Sequence, residues 1–444
     1  KPPGKGADLV SFHRNAGIPG NSYYEATVRR PPPAARLAGR IEADVAVVGG
    51  GYAGLSCALD LAGRGYSVAL LEARRIGWGA SGRNGGEVIV GVGFDGEQAL
   101  EAQLAPAEAK RAWDVTVEGL ALLQERMRRH AIDCEYRPGY LSLAVKPRRW
   151  GTLRRWAEHV SRDYGYPHLQ LVGPAEIRER VASERYYAAV HDAGSGHLHP
   201  LKYCLGLAQA AREAGVRIHE ESAVVRIAHG ARPVLATATG EVACRFALLA
   251  GNVYLDEYGR GIAPGIARRI VPVATYIVAT EPMGRERADA LMRGRPAASD
   301  TNHILDYFRV SADDRLLFGA GESASTREPP GLVAAVRRRM LRAFPQLADL
   351  AIPYAWGGFV DLTLNEAPDF GRLAPNVYYL QGFSGHGLAL AGMAGRMVAE
   401  AIGGQAERFD IFASIRHRDF PGGRWMRKPA LALGMLYYRM LDLL

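Results

Sequence analysis

The pattern of apolar positions near the start of the chain indicates a strand, a helix and a second strand in close succession. "ADVAVV" (43–48) is a short run of Val and Ala, which is typical of a strand buried in a parallel sheet. Apolar residues between Leu55 and Ala62 then follow the i, i+3, i+4, i+7 spacing of a helix. "YSVALLEA" (66–73) predicts the second strand. The unit therefore predicts an α/β fold with a parallel sheet.

The turn between this first strand and the helix is rich in glycine. Gly49, Gly51 and Gly54 form the pattern G-x-G-x-x-G. In such a turn the first glycine allows a tight bend, the second lets the backbone approach a pyrophosphate, and the third lets helix and strand pack closely. Glu72, at the end of the second strand, is placed to accept hydrogen bonds from a ribose. The unit predicts binding of a dinucleotide, either FAD or NAD.

Two further stretches favour FAD. "RRIGWGASGRNGGEVIVG" (74–91) is rich in Gly, Ser and Asn, so its backbone can wind closely around a flat ligand. By composition alone it could equally be a flexible surface loop. "VYYLQGFSGHGLALAGMAGRMVAEAIGG" (377–404) repeats the order of strand, glycine-rich turn and helix. The N-terminus of that helix would stabilise negative charge on a reduced flavin ring.

Composition and charge narrow the class of protein. A chain of 444 residues with 48% hydrophobic and 23% charged residues is typical of a globular protein of about two domains. The net charge is +9, but the arginines are scattered and no nucleic-acid-binding motif accompanies them. We therefore expect no nucleic-acid partner. No apolar run is long enough to span a membrane, and the start of the chain lacks the apolar core of a signal peptide.

The cysteines and histidines give no sign of a metal site. The 4 cysteines lie far apart without a CxxC pair, which argues against zinc and a disulfide scaffold and favours a reducing cytoplasm. His197 and His199 alternate in "SGHLHP" but have no Asp, Glu or Cys partner at ligand spacing. We expect a turn with hydrogen-bonded histidines and no metal.

Several motifs in order resemble the D-amino-acid oxidase (DAO) superfamily of FAD-dependent amine oxidoreductases, and within it the gamma-glutamylputrescine oxidase group. The resemblance covers nearly the whole chain. It rests on "SYYEAT" (22–27), "GWGASGRNGG" (77–86), "SGHLHPLKY" (195–203), "RLLFGAGE" (315–322), "GFSGHG" (382–387) and "FPGGR" (420–424).

The resemblance implies an α/β fold, α+β overall, with a discontinuous Rossmann-like FAD-binding domain and an interleaved substrate domain on a mainly antiparallel sheet. The FAD-binding domain would comprise 37–93, 172–255 and 357–410, and the substrate domain 94–171 and 256–356. Residues 1–36 would form an N-terminal extension and 411–444 a helical tail. We expect the apolar tail to pack against the body or a partner chain, with a membrane surface as the alternative.

The resemblance also implies which residues hold the cofactor. They lie in three glycine-rich stretches, at the end of the second strand and at two later positions, and FAD is expected to be noncovalent. They are Gly49, Gly51, Tyr52, Ala53, Gly54, Glu72, Ala73, Gly79, Ala80, Ser81, Arg83, Asn84, Gly85, Gly86, Val224, Gly251, Gly382, Ser384, Gly385, His386 and Gly387.

The family reaction oxidises a C–N bond. A hydride passes from the carbon that bears the amine to flavin N5, and water hydrolyses the resulting imine. Such a step requires position and a neutral amine more than a dedicated base. His386 is a candidate base, and it is at least as well explained as a structural residue at a helix start.

Departures from related oxidases bear on the substrate. Leu388 and Ala389 stand where sarcosine oxidases carry an aromatic residue and a carboxylate-binding lysine. Glu87 is the only charge in "GGEVIVG", and a carboxylate there would repel an amino acid and attract an ammonium. Glu87 could equally be a turn partner. The expected partner is therefore a small-molecule amine.

Two positions leave alternatives open. Arg309, beside Tyr307, lies where glycine oxidases place a carboxylate-binding arginine, so it could bind a distal gamma-glutamyl carboxylate. It could instead hold the carboxylate of a secondary or cyclic amino acid such as pipecolate or sarcosine, or simply be a strand arginine. Leu317 replaces the oxygen-activating lysine of sarcosine oxidases, so the electron acceptor is either oxygen or another molecule. A flavin-binding protein without turnover is the alternative outside the enzymes.

Overall fold

A computed structural model describes residues 20–93, 96–255, 262–323, 329–421 and 423–443. The strands form three sheets. They are β1 Gly20–Asn21, β2 Gly39–Glu42, β3 Val45–Val48, β4 Val68–Leu71, β5 Glu87–Val88, β6 Arg137–Ala144, β7 Leu169–Val172, β8 Ala188–His197, β9 Arg217–His219, β10 Arg226–Ala228, β11 Val234–Ala236, β12 Gly240–Ala243, β13 Phe246–Leu249, β14 Val271–Ala279, β15 Ala297–Asp300, β16 Tyr307–Val310, β17 Leu316–Ser323, β18 Tyr354–Leu362, β19 Asp369–Ala374 and β20 Val377–Gln381.

Helices alternate with these strands along the chain. They are α1 Tyr23–Ala26, α2 Tyr52–Gly63, α3 Gly96–Glu101, α4 Pro106–Arg129, α5 Pro147–Asp163, α6 Ile177–Arg180, α7 Pro200–Glu213, α8 Arg285–Leu291, α9 Leu332–Ala343, α10 Gly387–Ile402, α11 Glu407–Ala413 and α12 Gly423–Leu443. Short 3₁₀ turns lie at Ala80–Gly82, Asn252–Tyr254 and Pro345–Leu347.

The first sheet has six strands in the order β19-β20-β13-β3-β4-β9. All its pairings are parallel except that of β19 with β20. The four residues of β3 and the four of β4 are buried, as expected for central parallel strands. Helices α2 and α10 meet tightly: a Cβ on Gly395 would lie 2.3 Å from the carbonyl oxygen of Ala53. This sheet carries the predicted βαβ unit.

The second sheet has ten strands, in the order β1-β18-β14-β17-β16-β15-β6-β8-β5 with β7 beside β8. Its pairings are antiparallel except that of β15 with β6. A parallel sheet beside a mainly antiparallel one is the mixed α/β architecture that the motifs imply, so the predicted fold class is confirmed.

The sheets divide the chain differently from the boundary that we placed at residue 172. Strand β8 pairs along its length with β6, and β5 pairs with the end of β8 at Glu87 and His197. Both strands therefore join the ten-stranded sheet. These pairings join residues distant in sequence, which local patterns do not reveal. The boundary at 255 and 256 adjoins residues outside the described part of the chain.

The stretch 241–252 connects two of the sheets. It contains β12 and β13, which belong to different sheets. β12 joins a four-stranded sheet in the order β10-β11-β12-β2. The amides of Arg245 and Phe246 both donate to Asp44 O, which turns the chain from one sheet into the other.

The tail forms helix α12, as predicted. Near its end, the Asp442 carboxylate accepts hydrogen bonds from His303 N at 2.8 Å and Ile304 N at 3.1 Å. Arg149 lies 3.3 Å from the same carboxylate. The tail is thus joined to the ten-stranded sheet side of the molecule. Within the described ranges, no helix combines the length and the apolar character that crossing a bilayer requires.

Candidate active site

A cavity opens beyond the carboxyl ends of the central parallel strands, where ligands bind in sheets of this kind. Val48, Leu71 and Leu380, near the ends of β3, β4 and β20, line it. Glycine-rich residues from 49–91 and from 385–387 meet there, although the two segments are about three hundred residues apart in sequence. Predicted site residues in its wall are Gly49, Gly51, Tyr52, Ala53, Glu72, Ala73, Gly79, Ala80, Ser81, Asn84, Gly85, Glu87, Val224, Gly251, Gly385 and Gly387.

Other predicted residues do not line the cavity. They are Gly54, Arg83, Gly86, Tyr307, Arg309, Gly382, Ser384 and His386. Those that matter for the chemistry are described individually below.

Steric crowding explains why two positions of the first glycine turn are occupied by glycine. Gly49 has φ +109°, and a Cβ there would lie 2.5 Å from the carbonyl oxygen of Ala250. A Cβ on Gly54 would lie 2.0 Å from the carbonyl oxygen of Gly49. Both distances are too short for any side chain. Glycine at these positions therefore lets α2 begin directly against the end of β3.

The start of α2 is open to an anion. Gly51 is its N-cap and provides no side-chain cap. A Cβ on Gly51 would lie 2.8 Å from Ser81 Oγ, and Ser81 Oγ accepts a hydrogen bond from Tyr52 N at 3.1 Å. The glycine turn at 49–54 and the glycine-rich stretch at 74–91 thus touch at the helix start. Free N–H groups and the positive end of the helix dipole suit a pyrophosphate at this place.

Glu72 is held by the backbone on both carboxylate oxygens. Gly50 N donates to Oε2 at 2.6 Å, and Arg74 N donates to Oε1 at 2.8 Å. Burial raises the pKa of Glu72 above its usual range. Each oxygen keeps a second lone pair, so the carboxylate can still accept a ribose hydroxyl. Its position in the cavity wall fits the predicted ribose contact.

Asp361 shapes the second glycine-rich turn, and sequence reasoning missed it. One of its carboxylate oxygens accepts hydrogen bonds from Gly382 N and from Phe383 N at 3.0 Å. Asp361 is buried, and burial raises its pKa to about 6. A lone aspartate inside the apolar strand "WGGFVDL" was the available signal, since buried carboxylates require such partners. Asp361 fixes the turn that leads into α10.

An aromatic wall also escaped prediction. The rings of Trp78 and Tyr254 have centroids 5.3 Å apart in an edge contact, and Tyr254 and Phe359 lie 6.3 Å apart. All three side chains line the cavity. The tryptophan inside a glycine-rich loop could have indicated this wall, whereas the other two come from distant parts of the chain.

Glu87 brings a carboxylate to the cavity. Its Oε1 is buried and accepts no hydrogen bond from the described residues. Burial raises the pKa of Glu87 to about 8, and the charge of Arg309 opposes that increase. Because an unpaired buried carboxylate is costly, its most favourable partner is a cation or a proton donor. The turn-partner alternative is not supported by a hydrogen bond in the described chain.

Arg309 lies behind the wall, with 3% of its surface exposed. Its Nε donates to Gly85 O at 2.6 Å, and Nη2 donates to Tyr24 OH at 3.2 Å. No carboxylate of the described residues lies within ion-pair distance of it. Tyr307, on the same strand, packs against Gly85 and Gly319. The structure therefore brings Glu87, Arg309 and Tyr307 together around Gly85.

Arg83, Asn84 and Gly86 support the loop in different ways. Arg83 donates from Nε to Trp78 O at 2.8 Å and from Nη1 to Gly357 O at 3.3 Å. Asn84 Oδ1 accepts from Gly86 N at 2.8 Å. Arg83 and Asn84 thus close the loop on itself and tie it to β18.

His386 is the N-cap residue of α10, but its side chain makes no cap hydrogen bond. Its Nδ1 is buried and has no partner among the described residues. Burial lowers the pKa of His386 to about 4, so the ring is neutral near pH 7. His386 itself does not line the cavity, although Gly385 and Gly387 on either side of it do.

The departures from related oxidases have structural counterparts. Leu388 lines the cavity, whereas Ala389 faces α4: its carbonyl oxygen would lie 3.0 Å from a Cβ on Gly119. Leu317 is buried in an apolar cluster with Tyr24, Ile277 and Trp356, and it pairs with Arg309 across β16 and β17. A cation at position 317 would therefore lie beside a buried arginine.

The paired histidines take part in ordinary hydrogen bonds. His197 Nε2 lies 2.9 Å from Arg295 O, and His199 Nδ1 accepts from Lys202 N at 3.2 Å. In the described part of the chain, no group of three or more His, Cys, Asp or Glu is arranged to hold a metal ion.

Comparisons with known proteins identify the family of this chain. Residues 44–401 match the DAO family, described as FAD dependent oxidoreductase. The gamma-glutamylputrescine oxidoreductase of Escherichia coli K12 is 42% identical over 422 residues, covering 95% of this chain and 98% of that protein. Two solved structures share the fold. Glycine oxidase from Geobacillus kaustophilus has a TM-score of 0.69 at 23% identity over 82% of this chain and 95% of its own. L-proline dehydrogenase from P. horikoshii has a TM-score of 0.67 at 23% identity over 82% and 94%. The chain therefore belongs to the DAO family of FAD dependent oxidoreductases.

Proposed function

We propose that this enzyme oxidises the primary amine of a gamma-glutamylputrescine-like substrate to an imine, which water hydrolyses to an aldehyde and ammonia. The observation that carries the proposal is Glu87 in the wall of the cavity, whose buried Oε1 has no hydrogen-bond partner among the described residues. Such a group favours an ammonium and disfavours the carboxylate of an α-amino acid. The name of the 42% identical Escherichia coli relative supports the same substrate class.

The residues present fit FAD. Gly49, Gly51 and the start of α2 would hold its pyrophosphate, Glu72 its ribose, and Val224 its adenine. The turn at 382–387 and the start of α10 would face the flavin. FAD supplies a two-electron acceptor for the hydride from the carbon that bears the amine. We further propose that it is bound noncovalently.

The protein's own groups position the amine. Glu87 would attract the ammonium head, while Leu388 and the aromatic wall offer an apolar surface to a methylene chain. Leu388 also leaves this part of the wall without a fixed cation for a substrate carboxylate. The four buried free cysteines support a reducing compartment, and we propose the cytoplasm. The final electron acceptor would be oxygen or another small molecule.

The experiment is anaerobic absorbance of the flavin band during addition of amines. Bleaching by gamma-glutamylputrescine or putrescine, without bleaching by pipecolate, sarcosine or glycine, is the expected result. Bleaching only by pipecolate or sarcosine would replace the proposal with a secondary or cyclic amino-acid oxidoreductase. An absence of bleaching with every amine would leave a flavin-binding protein without turnover. Readmitted air then separates an oxidase, whose colour returns with peroxide, from a dehydrogenase.

The matched variant is Glu87→Gln. It keeps the size of the side chain and removes its negative charge. We expect retained FAD content and a loss of reduction rate of about 10²-fold or more, as for other acid–base groups.

A further inference from the structure

We infer that Arg309 does not contact the substrate but acts through Glu87, as the fixed cation that lets Glu87 accept a proton from the substrate ammonium. This inference rests on the proposed amine chemistry. It assigns Arg309 a positioning role and departs from the carboxylate clamp that the glycine oxidase resemblance suggested.

The contacts of Arg309 argue against a clamp. Its Nε donates to Gly85 O, its Nη2 donates to Tyr24 OH, and its guanidinium lies over the Tyr24 ring with the centroid 5.8 Å away. The side chain is 3% exposed and does not line the cavity. A clamp requires a guanidinium that presents two N–H groups to the ligand. Here two of its donors are already used by the protein.

The position of Arg309 relative to Glu87 supports an electrostatic role. A Cβ on Gly86 would lie 3.0 Å from both Nε and Nη2 of Arg309, and Gly86 is the residue before Glu87. The guanidinium therefore packs against the segment that carries the carboxylate. Glu87 itself faces the cavity with Oε1 unpartnered. One charge is fixed behind the wall, and the opposite charge faces the ligand.

Burial favours the neutral form of three titratable groups near Glu87. Tyr140 on β6 and Tyr24 on α1 have pKa values raised first by burial. His197, paired with Glu87 across β5 and β8, has its pKa lowered to about 3 by burial and by Arg309. Tyr307 adds a phenol from β16. Arg309 is therefore the charged group among these neighbours, and Glu87 is the member that titrates near neutrality.

The proton transfer balances without a further reactant. The N–H bond of the substrate ammonium breaks and its electron pair stays on nitrogen. Glu87 takes the proton and becomes a neutral acid, and the amine becomes neutral. The neutral amine is the form from which a hydride can leave the adjacent carbon. Arg309 keeps Glu87 ionised at lower pH, in the form that can accept the proton, and in return makes that carboxylate a weaker base.

The kinetic test compares the pH dependence of anaerobic flavin reduction by gamma-glutamylputrescine in wild type, Arg309→Met and Arg309→Lys. The rate should rise with pH through the pKa of Glu87, near 8 before the substrate binds. Without the cation the carboxylate is harder to ionise. We therefore expect Arg309→Met to move this rising limb of the pH–rate profile to higher pH by about one unit. At pH values above the limb, KM should change little. Arg309→Lys should keep the wild-type limb and KM.

The contrary result is a raised KM in both variants with the limb unmoved, which would make Arg309 a substrate clamp. Arg315→Met is the matched control. Arg315 also lies over a tyrosine, with the Tyr23 centroid 5.8 Å away, and pairs with Asp313 at 2.7 Å. It should leave the limb unchanged. A shift of the limb in this control as large as that in Arg309→Met would mean that the overall charge of the protein, and not the position of Arg309, causes the shift.

A second measurement needs no turnover. Infrared difference spectra of the FAD-loaded enzyme, wild type against Glu87→Gln, isolate the protonated carboxyl band of Glu87 during a pH titration. In Arg309→Met this band should persist to higher pH. An identical titration in both proteins would overturn the inference. If no amine reduces the flavin, the proposed function fails, while this titration still tests the coupling of the two residues.

Discussion

The glycine turn at residues 49–54, proposed to face the phosphates, and the proposed substrate end around Glu87 belong to one cavity but are built in different ways. The turn is local: its strand, glycines and helix follow each other within twenty residues, and a missing Cβ explains its shape. The substrate end is assembled from separate elements, and Arg309 reaches Tyr24 across 285 residues of sequence. Backbone sterics thus govern one end, and buried charges govern the other.

The largest effect should come from a change in the local turn. Gly54→Ala places a methyl group 2.0 Å from Gly49 O, so α2 must move away from β3. Overpacking of this kind costs about 1–3 kcal/mol, and we expect at least about tenfold weaker FAD binding. The ratio of flavin absorbance to protein absorbance after dialysis measures it. Gly63→Ala, at the other end of the helix with open space around it, should keep its FAD.

The second glycine-rich turn, at 382–387, should depend on the side chain of Asp361. Asp361→Ala leaves the amides of Gly382 and Phe383 without their acceptor, and each unpaired buried group costs about 1–3 kcal/mol. We expect a lower free energy of unfolding, measured by urea denaturation of the FAD-loaded protein. Asp361→Asn retains an accepting oxygen and should lose much less. An equal loss in both variants would show that charge, and not the hydrogen bonds, holds the turn.

Asp361 should also make the free energy of unfolding depend on pH. Because burial raises the pKa of Asp361 from 3.8 to about 6, the folded protein binds this proton more tightly than the unfolded chain. The resulting stability is present below pH 3.8 and is lost as the pH rises through 6. Asp361→Asn should remove that slope from the dependence of unfolding free energy on pH.

At the substrate end, Tyr24→Phe should sharpen the role of Arg309. The variant keeps the ring under the guanidinium and removes only the hydroxyl that accepts its hydrogen bond. We expect the pH limb of flavin reduction to rise by about 0.5 unit, equal to about 0.7 kcal/mol. A shift as large as that of Arg309→Met would mean that the hydroxyl, and not the ring, positions the cation.

The smallest effect should come from His386. Its pKa of about 4 keeps the ring neutral throughout the working range, and the ring lies outside the cavity wall. His386→Asn should leave the pH limb of flavin reduction in place. Loss of that limb in this variant would identify His386 as the base and remove the assignment to Glu87.

Sequence patterns predicted the parts of the molecule whose causes are local. The βαβ unit, the second glycine turn and the tail helix follow from spacing and composition within short windows. Other features depend on contacts between residues far apart in sequence, which a short stretch of sequence does not reveal. They are the place of β8 in the ten-stranded sheet, the hydrogen bonds of Asp361 to the second turn, and the contact of Tyr254 with Trp78. Arg309 was found by resemblance, but its contacts with Gly85 and Tyr24 exist only in the fold.

The strand order of the six-stranded sheet has a consequence for synthesis of the chain. β3 lies between β13 and β4, and β20 completes the parallel strands on the other side of β13. When the first glycine turn leaves the ribosome, the strand that must cover one edge of β3 is still about two hundred residues away, and Ala391 in the cavity wall comes later still. Contacts of such long range form slowly and leave apolar strands exposed meanwhile. The nascent chain can therefore complete its cofactor site only after residue 391 has been synthesised.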